Sequence, residues 1–109
     1  MNDIQKKKRN FRNSKKWKEF RKKKMLEQKN LDPITETKLS GRFALHHKNL
    51  NAENYEDISK EDDFIAILKE THDSIHWMLR YIKKYKDLRV LDNFYNEVVN
   101  EAKRNGFID

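Results

Sequence analysis

Four histidines lie between positions 46 and 76 of this 109-residue chain, and they define the chemistry that the sequence can support. A neutral imidazole binds transition metals, and it exchanges protons near neutral pH. His72 and His76 are four residues apart, which on a helix places both rings on one face, where they can bind one ion. His46 and His47 are neighbours, and neighbouring side chains on a strand point to opposite faces. One of the two can therefore join a metal while the other acts as a general base in hydrolysis.

The same histidines also have plainer interpretations. A histidine on an apolar helix face is usually packed and hydrogen-bonded, and the H-x-x-x-H spacing is common by chance. Position 73 is Asp, so the zinc-protease motif H-E-x-x-H is absent. Imidazole ligands favour transition metals, whereas Mg²⁺ prefers oxygen. We expect one divalent ion, and the sequence leaves Mg²⁺, Mn²⁺, Zn²⁺ and Ni²⁺ open.

The charge of the chain is concentrated at its N-terminal end. Residues 1–30 carry 13 Lys and Arg against 3 acids, a net charge of +10, whereas residues 31–109 have a net charge of −3. A basic arm on a slightly acidic body indicates a polyanionic partner, of which nucleic acid is the commonest. A solvated tail or a membrane-surface tail is the alternative. The cations of the arm that we expect to contact phosphates are Lys15, Lys16, Lys18, Arg21 and Lys22.

Composition excludes several classes of protein. The chain has no cysteine, which rules out disulfides and cysteine-ligated zinc. No apolar run approaches the roughly 20 residues of a membrane span. The basic N-terminus lacks the apolar stretch of a signal peptide, so we expect a cytoplasmic protein. The length fits one domain with a small core.

Sequence periodicity predicts three helices and two strands. Residues 1–13 are predicted to be a disordered basic tail, followed by a helix that Ser14 caps and that ends at Asp32-Pro33. A short strand, 43–45, runs into the histidine pair, and 48–62 is predicted to be a loop with Tyr55 and Ile58 as anchors. The apolar run 64–68 has strand length, although periodicity does not separate it from a buried helix. A helix is predicted from a cap at Thr71, and the last from 88 to 104, with Gly106 just beyond its end.

The stretch FALHHKNLNAENYEDISKEDDFIAILKETHDSIHW resembles the HNH, or His-Me finger, nucleases. In its histidine pattern it is most similar to small phage-encoded members and to the nuclease domains of colicins, over about residues 31–85. The resemblance implies an α+β, mostly helical protein with a ββα-metal core, that is, two short antiparallel strands and a helix around one divalent cation. That core would span 31–86, between the basic arm and helix of 1–30 and a C-terminal helix, 87–109, that packs on it.

The resemblance also implies roles for individual residues. His47 would be the general base, and His46, His72 and His76 the metal ligands. Asp63 falls where the family usually has the asparagine that orients the base, and an aspartate can accept a hydrogen bond from His47. The Cys-x-x-Cys pairs that brace many relatives are absent, so the flanking segments would have to brace the site. Lys48, Arg80 or a cation of the basic arm would hold the scissile phosphate.

The resemblance therefore predicts a metal-dependent endonuclease that nicks or cuts DNA. Double-stranded DNA is the expected partner, and no membrane partner is expected. A phage or host protein is a further expected partner, and the cytoplasm of a host cell the expected compartment. The alternative is a catalytically inactive HNH-like protein that binds nucleic acid or regulates. A third interpretation is a purely structural metal site. Trp77 is expected in the core, whereas Trp17 can either pack or stack on bases.

Overall fold

The computed structural model describes residues 2–48 and 60–109. Within those residues the elements, in chain order, are α1 (Asp3–Arg12), α2 (Lys15–Glu27), β1 (Ala44–His47), a 3₁₀ turn (Glu61–Asp63), β2 (Phe64–Ile67), α3 (Lys69–Tyr85) and α4 (Leu88–Arg104). The predicted α+β, mostly helical class is confirmed. Most of the predicted loop, with its anchors Tyr55 and Ile58, lies outside the described residues.

The N-terminal segment is a helix, so the prediction of a disordered tail was wrong. The side chain of Asn2 accepts a hydrogen bond from the Gln5 amide at 2.8 Å, and the Gln5 side chain accepts one from the Asn2 amide at 3.2 Å. This reciprocal capping box satisfies two amides at the helix start. Arg9 and Arg12 lie in the last turn, where cations favour the negative pole of the helix. Charge composition pointed to disorder, but the local capping signal N-D-I-Q outweighs it.

Helix α2 begins as predicted and ends early. The Ser14 hydroxyl accepts a hydrogen bond from the Trp17 amide, as an N-cap does. The helix ends at Glu27, before the predicted end at Asp32-Pro33. Lys29 and Asn30 both adopt left-handed backbone angles, with φ of 55° and 62°, and these turn the chain out of the helix. Proline therefore does not end this helix.

The sheet pairs β1 with β2 in antiparallel register, with Ala44 opposite Ile67 and His47 opposite Phe64. The apolar run is thus a strand. Phe64 packs edge-on against Phe20 of α2, with ring centroids 5.2 Å apart. Beside this contact lies a small core whose buried members are Leu39, Phe43 and Ala66. Helix α2 therefore covers one face of the sheet.

Helix α3 begins at Lys69, so Thr71 is not its cap but a buried residue of its first turn. The described part of the chain clusters into two units, Met1–His72 and Asp73–Asp109, and α3 runs as one continuous helix through that boundary. Helix α4 has the predicted bounds, is capped by Asp87, and is followed by Gly106 at a φ of 73°.

The second unit is a helical hairpin with an open apolar groove. The groove has a volume of about 430 Å³ and is lined mainly by Trp77, Met78, Tyr81, Leu91 and Phe94. The rings of Tyr81 and Phe94 are in contact, with centroids 5.7 Å apart. Trp77 is 60% exposed, so its predicted core position was wrong. Two helices alone leave too little opposing surface to enclose a ring of that size.

Candidate metal centre and nucleic-acid interface

Three histidines converge in the structure. The side chains of His46, His72 and His76 each offer a ring nitrogen, and these nitrogens all lie within 4.8 Å of one another. His46 is buried, at 6% exposure, and the other two are half-buried. The rings of His46 and His72 are nearly perpendicular, with centroids 5.3 Å apart. His76 follows one turn later along the same continuous helix.

Short connections between strand and helix produce this convergence. His46 lies opposite Ile65 on the sheet, and β2 is followed after a single residue by α3. The His72 amide donates to the Leu68 carbonyl at 2.9 Å, so this histidine stands at the first hydrogen bond of the helix. The strand thus supplies one imidazole and the first two turns of the helix supply two.

The donor set fits a divalent transition metal. A tetrahedral zinc site has metal–nitrogen distances of about 2.0–2.1 Å, which places its ligand nitrogens about 3.3 Å apart. The nitrogens of this cluster, up to 4.8 Å apart, would have to approach by up to about 1.5 Å, which side-chain rotation can supply. Three protein ligands leave a position for water or substrate, as catalytic sites do. Three residues could therefore hold one ion, as the spacing of the histidines predicts.

His47 stands apart from this cluster. Its ring stacks on Phe64, with centroids 4.5 Å apart and an angle of 4° between the planes. The Lys48 amide donates to the Asp63 carbonyl at 2.7 Å, so these two residues form a hydrogen-bonded pair. Hydrogen-bonded and non-hydrogen-bonded pairs alternate along an antiparallel ladder. The next pair, His47 opposite Phe64, is therefore a non-hydrogen-bonded one. Side chains approach most closely in such pairs, which explains the stack. The two neighbouring histidines therefore occupy opposite faces of β1.

Asp63 lies where the count from His72 places it, in the 3₁₀ turn directly before β2. Its backbone carbonyl binds the Lys48 amide and so closes the end of the sheet. Among the described side chains, no hydrogen bond joins the Asp63 carboxylate to His47. The role of Asp63 in orienting that histidine stays a prediction.

Arg21 and Trp17 of α2 both pack against other residues of the protein. The Arg21 guanidinium donates to the Phe43 carbonyl and lies over the Phe43 ring, 3.7 Å from its centroid. Burial lowers the pKa of Arg21 from its ordinary value. Trp17 packs between Phe20 and Phe64, with centroids at 6.1 and 5.9 Å. Both predicted nucleic-acid candidates therefore face the protein, and Trp17 packs in the described fold.

Glu61 forms an ion pair that the sequence did not reveal. Its carboxylate accepts a hydrogen bond from Lys23 at 2.5 Å, and its backbone carbonyl accepts one from the buried Lys24 at 3.0 Å. The hydrogen bond with Lys23 lowers the pKa of Glu61, and the same bond raises the pKa of Lys23. The partners are 38 residues apart in sequence, so no local pattern could have indicated them.

The remaining cations of α2 form the candidate nucleic-acid interface. Lys15, Lys18 and Lys22 follow i, i+3, i+7 spacing and so share one face of the helix, where they line a shallow groove with Asn13 and Glu19. The side chain of Lys15 is 91% exposed. Lys16 and Lys48 are also exposed. This face points away from the packed Trp17 side and is available to a polyanion.

Arg80 belongs to the second unit. Its guanidinium lies over the Trp77 ring, 5.3 Å from the centroid. Together with Asp73, His76 and Trp77 it lines a small open cleft. Arg80 thus shares its helix face with one of the candidate ligands, as their four-residue spacing requires.

Comparison with protein-family models, with curated proteins and with solved structures found no match to this chain. In the described part of the chain, none of the helices combines the length and the apolar character needed to cross a membrane.

Proposed function

We propose that this chain is a metal-dependent endonuclease of the HNH type that hydrolyses phosphodiester bonds in DNA. The observation that supports it best is the division of the histidines. Three imidazoles converge within 4.8 Å, and the fourth stands next to one of them in sequence but on the other face of the strand. A metal-assisted hydrolase needs this division between ligands and a separate base.

His46, His72 and His76 would hold the ion. When bound, a divalent ion neutralises charge on the scissile phosphate and on the leaving oxygen. Imidazole donors suit Mn²⁺, Ni²⁺ and Zn²⁺, while Mg²⁺ would draw its oxygen ligands from water and from the phosphate itself. The half-buried His72 and His76 leave the cluster open to a substrate on the side of α3.

His47 would act as the general base in this proposal. Its neutral imidazole takes a proton from the attacking water, a function that contributes about 10²–10⁴-fold in rate. The stack on Phe64 fixes the plane of the ring, which leaves the ring nitrogens at its edge. Asp63, at the end of the same sheet, would orient the base once substrate is bound.

Double-stranded DNA is the proposed substrate, held by the face of α2 that carries Lys15, Lys18 and Lys22, with Lys16, Lys48 and Arg80 as further phosphate ligands. These cations contact backbone phosphates, which implies little sequence preference. A cytoplasmic location, in a host cell if the chain is phage-encoded, and a phage or host protein partner belong to the same proposal.

Cleavage of supercoiled plasmid tests the enzyme. Wild type is compared with His47→Ala in Mg²⁺, Mn²⁺, Ni²⁺ or Zn²⁺ and in EDTA. The control is Asp62→Ala, which alters an exposed residue of the turn before β2. We expect nicked or linear plasmid with wild type and control, and a loss of about 10²-fold or more with His47→Ala. All three proteins are purified identically, so a contaminating nuclease would give equal cleavage in each.

The second candidate is an inactive protein that binds nucleic acid with α1 and α2. The observation that favours it is the net charge of +10 in residues 1–30, arranged on two capped helices. Salt-sensitive DNA binding without cleavage in any metal would support this candidate and refute the nuclease. Unfolding by EDTA, with no effect of His47→Ala, would indicate a purely structural metal site.

A further inference from the structure

Asp32 is a fully buried carboxylate in the turn that follows α2, with 0% exposure. One of its oxygens, Oδ1, accepts hydrogen bonds from the Ile34 amide at 2.7 Å and from the Thr35 amide at 3.1 Å. The other, Oδ2, accepts from the Leu68 amide at 2.9 Å, across 36 residues of sequence. A buried charge is costly unless hydrogen bonds compensate it, and three amides compensate this one.

The third of these bonds reaches the start of α3. Leu68 is the residue directly before that helix, and the first amides of a helix have no partner within it. A negative charge at this end also favours the positive pole of the helix. Asp32 therefore binds, from a distant segment, the amide that the N3 side chain of a capping box usually binds locally.

A chain of two hydrogen bonds connects Asp32 to the histidine cluster. The Leu68 amide donates to Asp32 Oδ2, and the Leu68 carbonyl accepts from the His72 amide at 2.9 Å. The His72 ring then lies 5.3 Å from that of His46. Thr71, one residue before His72, is buried beside the Asp32 carboxylate. The Thr71 hydroxyl favours the charged form of Asp32 and so lowers its pKa, although its geometry falls short of a full hydrogen bond.

Gln28 binds the same edge of β2, and its side-chain hydrogen bonds in the described structure go to Ala66 and Leu31. Its side-chain amide donates to the Ala66 carbonyl at 2.7 Å, and its side-chain oxygen accepts from the Ala66 amide at 2.8 Å. Ala66 is opposite Leu45 in a non-hydrogen-bonded pair, so its backbone groups point away from β1. Gln28 and Asp32 thus occupy adjacent places on one strand edge, and Asp32 is the one that continues to the helix.

We propose that Asp32 is a positioning residue for the metal centre, because its bond to Leu68 fixes the start of α3 and thereby the approach of His72 to His46. This inference rests on the proposed metal centre. Asp32 does not belong to the cluster of donor nitrogens, and its oxygens bind backbone amides. Its hydrogen bond to α3 is the one from the Leu68 amide, with the Thr71 hydroxyl beside the carboxylate.

The test compares two variants that each lose backbone hydrogen bonds at the same edge. Asp32→Asn presents an amide group or a weaker acceptor to Leu68, whereas Gln28→Ala removes both bonds to Ala66. Co²⁺ affinity is measured by titration of the cobalt absorption bands. We expect Asp32→Asn to weaken Co²⁺ binding about 10–100-fold, the usual effect of losing a group that supports a ligand. Gln28→Ala is expected to lower stability but to leave Co²⁺ affinity within about twofold of wild type.

Nuclear magnetic resonance of the metal-free proteins gives a second measurement. We expect Asp32→Asn to lose the Overhauser contact between the His46 and His72 rings, together with hydrogen-exchange protection of the Leu68 and His72 amides. Wild-type Co²⁺ affinity and an intact ring contact in Asp32→Asn would overturn the inference and leave Asp32 as a turn-stabilising residue. If wild type binds no Co²⁺, the proposed metal centre fails, and the ring contact alone decides whether Asp32 positions His72.

A second pair of variants covers the case in which Asp32→Asn does not fold. Leu68→Pro removes the amide hydrogen that Asp32 receives, at a position next to a helix start where proline is tolerated. Leu68→Ala trims the same side chain and keeps that hydrogen. Weaker Co²⁺ binding and a lost ring contact in Leu68→Pro but not in Leu68→Ala would support the inference. Equal behaviour of the two variants would overturn it.

Discussion

The salt dependence of DNA binding gives the sharpest test of the α2 interface. The perturbation is the triple change Lys15→Gln, Lys18→Gln and Lys22→Gln. These lysines share one exposed helix face, and the ion pair of Lys15 with Glu19 is long, at 3.8 Å. Such exposed pairs contribute little, so the free energy of unfolding of the triple variant is expected to stay within about 1 kcal/mol of the wild-type value.

The expected magnitude follows from the geometry. The three lysines span seven residues, about 10 Å along the helix axis, which suits contact with a short run of phosphates. Each lost phosphate contact lowers the slope of log K against log salt by about 0.9, so the triple variant should lower it by about 2.7. Between about 50 and 200 mM salt, wild type should therefore lose about 40-fold more affinity than the variant.

Fluorescence anisotropy of a labelled duplex over this salt range measures both slopes in EDTA, which prevents cleavage. A matched control carries Lys83→Gln, Lys84→Gln and Lys103→Gln, which remove the same charge from exposed positions of α3 and α4. An unchanged slope in the α2 variant, or an equal change in the control, would refute the assignment of this face as the phosphate-binding surface.

Three further outcomes are expected. His72→Ala should abolish the increase in melting temperature that Ni²⁺ or Zn²⁺ causes in wild type. At a metal concentration of 100 times Kd, that increase corresponds to a stabilisation of about 2.7 kcal/mol. Differential scanning calorimetry with and without metal measures the increase. Gln28→Ala should destabilise the protein by about 1–3 kcal/mol in urea denaturation, because the buried backbone groups of Ala66 lose both partners; an effect near zero would contradict that reading. Burial raises the pKa of Asp32, but hydrogen bonds from the Leu68, Thr35 and Ile34 amides, with the Thr71 hydroxyl nearby, outweigh burial and hold this pKa below its ordinary value. The carboxylate therefore stabilises the fold at neutral pH, and this contribution should disappear as pH falls from about 5 through the folded pKa. Asp32→Asn should flatten the acid limb of a stability–pH curve.

Local signals in the sequence were sufficient for part of this description. The four-residue spacing of His72 and His76 placed both on one helix face, and the cap at Ser14 and the bounds of α4 were confirmed. The apolar pattern also identified β2, although length and not periodicity separated it from a helix. Each of these features depends on residues within one or two turns of each other.

The remaining features depend on distant partners. Arg21 appeared to be a phosphate ligand because its neighbours are basic, yet it binds the Phe43 carbonyl, 22 residues away. Gln28 and Asp32 carried no visible signal, since a glutamine and an aspartate near a helix end usually face solvent. Trp77 was expected in the core by its size, but a two-helix hairpin offers too little surface to enclose it. Tertiary surroundings, which periodicity does not contain, decide the positions of all four residues.

The side chains that cover the outer edge of β2 also bear on how the chain is synthesised. The strand Phe-Ile-Ala-Ile is short, apolar and uncharged, the kind of segment that pairs with other chains when its edge is exposed during folding. Gln28 and Asp32 precede their partners Ala66 and Leu68 by 38 and 36 residues, so they leave the ribosome before those partners do. The residues that bind this edge of the strand are therefore available before the strand can pair with another chain, which lowers the risk of aggregation during synthesis.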